Sequence, residues 1–403
     1  MEIRAFRGLC PSPAVADQVV CVPYDVVDRA ESAALAAGNP RSLLHVDRAE
    51  IDLPDDCSPY AEQVYAKARE NFLRLQAEGA LVREERPCVY LYRLTMGSHQ
   101  QTGIVATVLA RDYENGLVKK HEKTRPDKED DRTKLIDTIG AQTGPILLAF
   151  RQTPELAGVC AELVTRPPEF DITAPDGIRH EVWRISAPAA VTEAFLAVPE
   201  VYIADGHHRA ASGARVAALR RTRGDATEAS EATLAVLFPS DELQILAYNR
   251  AVRTLNGHSK AEFLAALRNV VRVTAHGSDV PAGSCRASMY LDHEWFDLAW
   301  DAPTDADPVA TLDVSVLQDR VLAPLLGIED PRRSPEIEFI GGIRGTRELE
   351  ERVNSGRAAV AFSMFPTTVD QVMAIADAGE IMPPKSTWFE PKLRSGFFIH
   401  CLD

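Results

Sequence analysis

The chain has 403 residues, 45% of them apolar, and its 59 acidic against 44 basic residues give a formal net charge of −15. This length predicts two or three structural units with cores of their own. The acidic balance argues against a protein whose main role is to wrap nucleic acid, because neutralising phosphates requires a basic face.

The first residues and the cysteines point to a cellular compartment. No apolar segment follows the opening Met-Glu-Ile-Arg, and no stretch reaches the roughly 18 apolar residues that a membrane helix needs. The seven cysteines are scattered without a C-x-x-C pair, which argues against a disulfide framework or a thiolate zinc site. We therefore expect a cytoplasmic protein with reduced, buried thiols.

The first 150 residues predict a helix followed by strands. Apolar residues recur at helical spacing between Pro59 and Gly79, and Gly79 suits a left-handed cap at the end of that helix. Strands at 88–95 and 102–110 are predicted to pair as a hairpin, and a further strand is predicted at 146–150.

Residues 151–200 contain many prolines and are predicted to form a loop-rich insertion with one or two strands, such as 180–185. The elements predicted after it are, in chain order, a strand at 201–204, a helix from Arg209 to Arg220, a mobile loop at 221–232, strands at 233–238 and 243–248, helices at 259–267 and 314–326, a strand at 358–363, a helix from Thr367 or Thr368 to Ala378, and a strand at 396–401.

These elements mix helices and strands without strict alternation, which favours an α+β fold. We predict three segments: an N-terminal α/β segment at 1–85, a core at 86–255, and a C-terminal α/β region at 256–403 that ends in a Pro/Lys-rich loop.

The segment Val201–Arg209 carries the strongest signal for a functional site. An apolar strand leads into Asp205 and Gly206, and a helix then begins with His207, His208 and Arg209. A helix N-terminus offers unpaired N–H groups to an anion, and the imidazoles and guanidinium add donors for phosphate oxygens. Asp205 could hold Mg²⁺ there or accept a proton. The structural alternative is a capping aspartate with two solvent-facing histidines.

A second signal lies in residues 119–134, where seven Lys/Arg face five Asp/Glu, an excess of +2 in an acidic chain. This local excess of positive charge suits a phosphorylated ligand. The candidate residues for binding its phosphates are Lys120, Lys123, Thr124 and Arg125. Glu122 is flanked by these bases and is a candidate general base, next to His121. A zinc-protease H-E-x-x-H motif is excluded because Arg125 stands where the second histidine is needed. The alternative is a solvated charged loop.

Weaker signals come from a Pro-stiffened loop near the C-terminus and from two short motifs. The loop could close over a site as a lid, or it could wrap the protein with its aromatics in the core. The substrate or lid candidates are Lys385, Ser386, Thr387 and Lys392 in the loop, and Tyr24, Asp25, Asn249 and Arg250 in the two motifs.

Known phosphate-binding motifs are absent from the sequence. No glycine precedes a lysine, so there is no Walker-type loop, and there is no G-x-G-x-x-G or G-x-S-x-G either. Phosphoryl transfer would therefore require a different phosphate-binding structure.

Several motifs together resemble the family designated domain of unknown function 1015, nearly from end to end. They are Pro23–Val27, Gly38–Pro40, Lys120–Thr124, Gln142–Pro145, Asp205–Arg209 and Pro383–Thr387. The segment from His121 through Gly144-Pro145 to Arg209, and on through 233–238, is similar to the core of the ParB/sulfiredoxin superfamily. Within that superfamily it most resembles the free serine kinases, which also pair a His-Glu motif with Asp-Gly-His-His-Arg.

This resemblance implies a ParB/sulfiredoxin-like catalytic core and phosphorylation of a small-molecule hydroxyl, with free L-serine as the leading acceptor. It implies that Glu122 is the base, that Asp205 orients the hydroxyl or the metal, and that Gly206 to Arg209 bind the phosphates. ATP, ADP or pyrophosphate would be the donor, with Mg²⁺. About 60 residues separate Gly144-Pro145 from Asp205, more than the compact kinases have.

The sequence leaves two alternative functions open. A nucleotide-binding regulatory or DNA-associated protein is one, although the net charge and the lack of an obvious helix-turn-helix count against it. Dephosphorylation of phosphoserine by the same residues is the other. We expect a small-molecule partner and neither a membrane nor a nucleic acid, and a homo-oligomer is left open.

Overall fold

The computed structural model describes residues 1–304 and 307–403. It divides the chain into two compact units: Met1–Leu243 with Pro391–Asp403, and Gln244–Glu390. This grouping differs from the three segments expected from sequence, because the chain leaves the first unit after Leu243 and rejoins it at Pro391. The last strand pairs with Ala141–Gln142, which keeps the C-terminus in the first unit.

The strands are β1 (Ile3–Arg4), β2 (Leu9–Pro11), β3 (Leu81–Arg83), β4 (Val89–Met96), β5 (His99–Leu109), β6 (Val118–Lys119), β7 (Ala141–Gln142), β8 (Ile146–Phe150), β9 (Phe170–Thr173), β10 (Arg179–Ile185), β11 (Val201–Asp205), β12 (Ala232–Pro239), β13 (Gln244–Leu246), β14 (Tyr248–Val252), β15 (Arg272–Ala275), β16 (Arg286–Leu291), β17 (Glu294–Ala299), β18 (Ile337–Gly341), β19 (Val360–Met364), β20 (Trp388–Glu390) and β21 (His400–Cys401).

The α-helices are α1 (Ala16–Val19), α2 (Arg29–Ala36), α3 (Leu44–Asp47), α4 (Glu62–Ala77), α5 (Ala110–Glu114), α6 (Pro126–Ile139), α7 (Pro154–Leu163), α8 (Ala189–Phe195), α9 (His207–Arg223), α10 (Lys260–Leu267), α11 (Asp313–Leu317), α12 (Ala323–Leu326), α13 (Arg347–Asn354) and α14 (Val369–Asp377). A π-helical turn, Gln318–Leu322, joins α11 to α12. Among the described residues, no helix has both the length and the apolar character required to cross a bilayer.

The first unit is built on a nine-stranded mixed sheet in the order β6-β11-β8-β12-β5-β4-β10-β9, with β1 also paired to β5. The pairs β11–β6 and β12–β8 are parallel, and the others are antiparallel. Alternate side chains of the central strands form one apolar core, which Leu156 of α7 and Phe195 of α8 help to close. The unit mixes helices and strands, which confirms the general fold class predicted from the sequence.

A second apolar core lies within the same unit. The N-terminal helices and α6 contribute to it through residues such as Leu44, Phe72 and Leu135, and Ile399 contributes from the C-terminus. This core holds the N-terminal segment, α6 and the last strand together.

The second unit contains a six-stranded sheet in the order β15-β17-β16-β19-β14-β18 among its described residues. Helices α10 and α14 begin at capping boxes formed by Ser259 with Glu262 and by Thr368 with Gln371. Both caps lie where the sequence predicted them, because a hydroxyl three residues before Glu or Gln satisfies two unpaired N–H groups.

Two local predictions were wrong. Residues 151–200 contain two helices as well as two strands, and their apolar side chains enter the first core. The single strand predicted at 243–248 is two strands, β13 and β14. Much of the charged run 118–134 is helical, since Pro126 opens α6 and Leu135 and Ile136 lie on its buried face.

Candidate active site

The edge of the main sheet brings the two strongest sequence motifs together. Strands β6 and β11 are parallel, with Lys119 opposite Tyr202. Parallel strands end at the same edge of a sheet, so the residues that follow β6 run beside the residues that follow β11. As a result, the rings of His121 and His207 meet edge to face, with centroids 4.5 Å apart.

A left-handed glycine forms the turn between β11 and α9. Gly206 has φ +90°, and a Cβ at this position would lie 3.4 Å from the backbone of Ile146. Its N–H donates to Asp205 Oδ1 at 3.0 Å. The N-cap residue Gly206 has no side chain with which to cap the first turn of α9, so the N–H groups of this turn and the positive end of the helix dipole suit an anion.

Asp205 is held ionised by cations. Lys392 Nζ donates to Asp205 Oδ2 at 3.2 Å. Burial alone would raise the pKa of Asp205, but Lys392 and Arg209 outweigh it and lower the pKa to about 2. A carboxylate with so low a pKa is a poor proton acceptor, so its charge suits orienting a hydroxyl or a cation better than general-base catalysis.

The two facing histidines are neutral near pH 7. Burial lowers the pKa of His121 to about 4, although Asp205 partly offsets the effect. Burial and the neighbouring His121 hold the pKa of His207 well below its usual range. Among the described residues, neither ring nitrogen of His121 nor Nε2 of His207 has a hydrogen-bond partner of ordinary geometry.

Glu122 lies at the exposed side of this histidine pair. Its carboxylate oxygen Oε2 is 3.7 Å from His207 Nδ1, and more than half of its side chain is accessible to solvent. This contact places Glu122 at the tip of α9, and His207 is only two residues from Asp205 along the chain. The first two sequence motifs therefore share one site.

His208 joins α9 to the segment that precedes α6. Its Nε2 accepts a hydrogen bond from the Arg125 backbone N–H at 3.0 Å, so the proton of the neutral ring is on Nδ1. Burial lowers the pKa of His208 as well. Thr124 donates to Glu129 in the first turn of α6, which holds this segment against the helix.

Arg209 binds groups of the protein itself. Its Nη1 donates to the Pro145 carbonyl at 2.5 Å, and its Nη2 lies 3.4 Å from Asp25 Oδ2. These contacts tie α9 to the Gly-Pro motif and to the N-terminal Pro-Tyr-Asp motif. Binding of phosphate by Arg209 stays a prediction. Its Nε has no hydrogen-bond partner among the described residues.

A small, largely apolar cavity of ≈ 30 Å³ lies behind this arginine. Such a volume has room for about one or two water molecules, so it is too small for serine or a nucleotide. Asp47 lines the cavity and accepts from Thr143 Oγ1 at 2.5 Å, while Arg132 stacks on the Tyr24 ring at 4.1 Å. Nothing in the local sequence pattern around Asp47 marks it as a site residue.

Comparison with known proteins gives the family of the chain. The profile of the family described as "Protein of unknown function (DUF1015)" matches residues 3–315. The chain belongs to the DUF1015 family. Among curated proteins, no sequence matches this DUF1015 member significantly.

Several solved structures show a distant likeness to the DUF1015 chain. A mutant free serine kinase in complex with AMP is 15% identical, with a TM-score of 0.35 over 71% of this chain and 87% of that one. A conserved hypothetical protein from Pyrococcus furiosus is 14% identical, with a TM-score of 0.35 over 73% and 95%. SbnI with a C-terminal truncation, from Staphylococcus aureus, is 12% identical, with a TM-score of 0.39 over 72% and 85%.

The remaining site candidates of the DUF1015 chain divide between the two units. In the first unit Lys120 and Lys123 are exposed, and the Lys120 ammonium lies 4.4 Å from the centre of the Tyr113 ring. Lys392, predicted from sequence as a lid residue, is the partner of Asp205 described above.

Five further candidates belong to the second unit: Asn249, Arg250, Lys385, Ser386 and Thr387. The Asn249 side chain accepts from the Met364 N–H at 3.0 Å, and Arg250 Nη2 donates to the Lys385 carbonyl at 3.1 Å. Burial lowers the pKa of Arg250 to about 10. These contacts order the loop within its own unit, and a role of these five residues in substrate binding stays a prediction.

Proposed function

We propose that this protein transfers a phosphoryl group from a nucleotide or pyrophosphate to a small-molecule hydroxyl, with free L-serine as the leading acceptor. The observation that carries the proposal is the meeting of Glu122 with the uncapped tip of α9, next to the ionised Asp205. A base, an anion-binding helix end and a fixed negative charge are the groups that such a transfer needs.

The acceptor hydroxyl would lie between the two carboxylates. Glu122 takes its proton while the oxygen attacks the terminal phosphorus of the donor, and the bond from that phosphorus to the leaving phosphate oxygen breaks. Asp205, with its low pKa, stays charged and orients the hydroxyl or a cation. The N–H groups at the start of α9 bind the phosphate oxygens, with Lys120 and Lys123 nearby in the chain as exposed cations.

Each part of this site has a supporting role in the structure. His207 Nδ1 faces the Glu122 carboxylate, so the buried imidazole positions the base. Arg209 fixes the tip of α9 through Pro145 and Asp25, and its guanidinium adds a positive charge for the phosphate. Lys392 keeps Asp205 ionised and adds a positive charge beside the anion site.

The residues present also fit the Mg²⁺ that phosphoryl donors carry. Mg²⁺ is usually bound through one or two carboxylates together with substrate phosphates and water. Asp205 supplies one such carboxylate at the tip of α9 and would hold the ion with the donor. Bound there, Mg²⁺ would neutralise charge on the transferring phosphate.

The choice of serine rests on the resemblance of the His-Glu and Asp-Gly-His-His-Arg motifs to those of the free serine kinases. The ParB/sulfiredoxin-like core is part of the same proposal. Both motifs lie in the first unit, within residues 3–315 that match the DUF1015 profile.

The test is incubation of the full chain with Mg²⁺, L-serine and ATP, ADP or pyrophosphate in separate reactions, followed by ³¹P NMR. We expect a phosphomonoester signal that coincides with added O-phosphoserine for one of the donors. Glycerol and L-threonine serve as alternative hydroxyl acceptors. A chain that phosphorylates none of the three acceptors with any donor would contradict the proposal.

A further inference from the structure

Two buried histidines, His121 and His207, face each other next to Glu122. One ligand atom from each of these three residues lies within 4.8 Å of the other two. His121 and His207 are 2% and 5% exposed, and three of their four ring nitrogens have no hydrogen-bond partner of ordinary geometry among the described residues. A buried polar atom without a partner costs free energy, so two such imidazoles facing each other indicate a ligand.

We propose that His121, His207 and Glu122 bind a divalent transition-metal ion of the Zn²⁺ or Co²⁺ type. Two imidazole nitrogens and one carboxylate form a ligand set that zinc and iron sites use, with a coordination position left open for water or substrate. Mg²⁺ is disfavoured here because it prefers oxygen ligands in octahedral geometry. The transition-metal ion is separate from the Mg²⁺ that accompanies a phosphoryl donor.

One pair of ligand atoms is already near the spacing that a bound ion requires. Metal–ligand distances of about 2.1 Å place tetrahedral ligand atoms about 3.4 Å apart. His207 Nδ1 and Glu122 Oε2 are already 3.7 Å apart, and Glu122 is exposed at the side where an ion would enter. The edge-to-face rings of His121 and His207, at 85° between planes, let both imidazoles direct a nitrogen toward one point.

Both imidazoles are buried, while the Glu122 side chain is more than half exposed, so solvent reaches the group of three from the side of the carboxylate. The seven cysteines provide no competing cluster within the described part of the chain, because the groups of potential ligands there contain no thiol.

Occupancy of this site has a consequence that rests on the proposed function. Glu122 cannot coordinate an ion and accept the proton of a hydroxyl at the same time. Zn²⁺ at this site is therefore expected to inhibit phosphoryl transfer, and a chelator is expected to restore it. Metal binding itself does not depend on which reaction the protein catalyses.

The test is titration of metal-free full-length protein with Co²⁺, without donor or acceptor, followed by its visible absorption and by equilibrium dialysis. We expect one Co²⁺ per chain, displaced by Zn²⁺ and not by millimolar Mg²⁺. Glu122→Gln, a change at an exposed side chain, should weaken binding about hundredfold or more while the fold stays intact. His121→Gln should also weaken Co²⁺ binding. His180→Gln, a change at a buried histidine outside the site, should leave Co²⁺ binding unchanged.

Two results would overturn the metal site. One is the absence of stoichiometric Co²⁺ or Zn²⁺ binding, and the other is equal affinity in Glu122→Gln and the wild-type protein. A strong thiolate-to-cobalt absorption band would place the ion at cysteines and would also contradict the assignment. Failure of the kinase assay leaves all of these outcomes unchanged, so the two proposals are tested separately.

Discussion

The Glu122 carboxylate lies 3.7 Å from Nδ1 of His207, and this contact joins the segment after strand β6 to the first turn of α9. Strand β11 is paired in parallel with β6, so the end of the sheet places a solvent-accessible acid against a helix N-terminus. The functional proposals both depend on this contact: the general-base role of Glu122 and the metal site formed with His121.

Replacement of Glu122 by Gln tests the role of the base. The amide keeps the size of the side chain but cannot accept the hydroxyl proton, so turnover should fall about hundredfold or more with the stability unchanged. Asp130→Asn is the matched control, because Asp130 is an exposed acid of α6 that pairs with Arg215 at 2.6 Å. Equal rates for Glu122→Gln and Asp130→Asn would show that Glu122 is not the base.

Two glycines flank α9, and substitutions at them distinguish the cost of backbone strain from an effect on ligand binding. Gly206 and Gly224 lie at the two ends of the helix with φ +90° and +77°. Alanine at either position should cost about 1 kcal/mol of unfolding free energy, because both are left-handed. Only Gly206→Ala should also weaken binding of the phosphoryl donor, by about tenfold or more, since it disturbs N–H groups of the first turn.

Urea unfolding and calorimetric titration with ADP or ATP measure the two effects. Equal loss of nucleotide affinity in Gly206→Ala and Gly224→Ala would mean that the helix tip does not bind the donor.

Much of this candidate site was predictable from sequence, because its residues lie in short contiguous motifs. Gly206 between an apolar strand and a helical pattern is typical of a tight strand-to-helix turn, and the family motifs marked His121 and Glu122. The hairpin of β4 and β5 was predicted correctly for the same reason, since a short polar turn separates two apolar runs.

The contacts that the sequence did not reveal are long-range. Lys392 reaches Asp205 only because the chain returns to the first unit at Pro391. Asp47 and Thr143 meet across the small cavity behind Arg209, and neither position has a local pattern that specifies a partner. Pairing of this kind depends on tertiary packing, which residue spacing along the chain does not encode.

Lys392 should keep the Asp205 carboxyl ionised. It lowers the pKa of Asp205 together with Arg209, so Lys392→Gln should raise the pKa of this carboxyl by about one unit, as followed by its ¹³C chemical shift in an NMR pH titration. Lys67→Gln, which removes a surface lysine paired with Glu70, is the control and should leave the pKa of Asp205 in place. An unshifted Asp205 pKa in Lys392→Gln would contradict the role of Lys392 in keeping Asp205 ionised.

Buried neutral histidines should make the protein less stable in mild acid. Burial lowers the pKa of His180 to about 3 and that of His400 to about 4. The folded state then binds fewer protons than the unfolded state below pH 6.5, so stability falls as the pH decreases from there toward the folded-state pKa. Each such histidine contributes up to about 1.4 kcal/mol per pH unit in this window.

The measurement is urea unfolding at pH 7.5, 6.5 and 5.5. His180→Gln should show a smaller decrease in stability with falling pH, because the glutamine that replaces the ring hydrogen-bonded to the Tyr92 hydroxyl does not titrate. His276→Gln changes a side chain that is 91% exposed, so the stability of this variant should decrease with falling pH as that of the wild-type protein does. A wild-type stability that does not change between pH 7.5 and 5.5 would contradict the neutral, buried state of these rings.

The central claim is that Glu122 and Asp205 act on one phosphoryl transfer, and a double-mutant cycle tests it most directly. Rates of O-phosphoserine formation would be compared for the wild-type protein, Glu122→Gln, Asp205→Asn and the double variant. We predict that each single change costs about hundredfold and that the double variant is little slower than the slower single one, because both residues serve the same step. Single variants with near wild-type rates, or fully multiplicative losses in the double variant, would contradict a shared site.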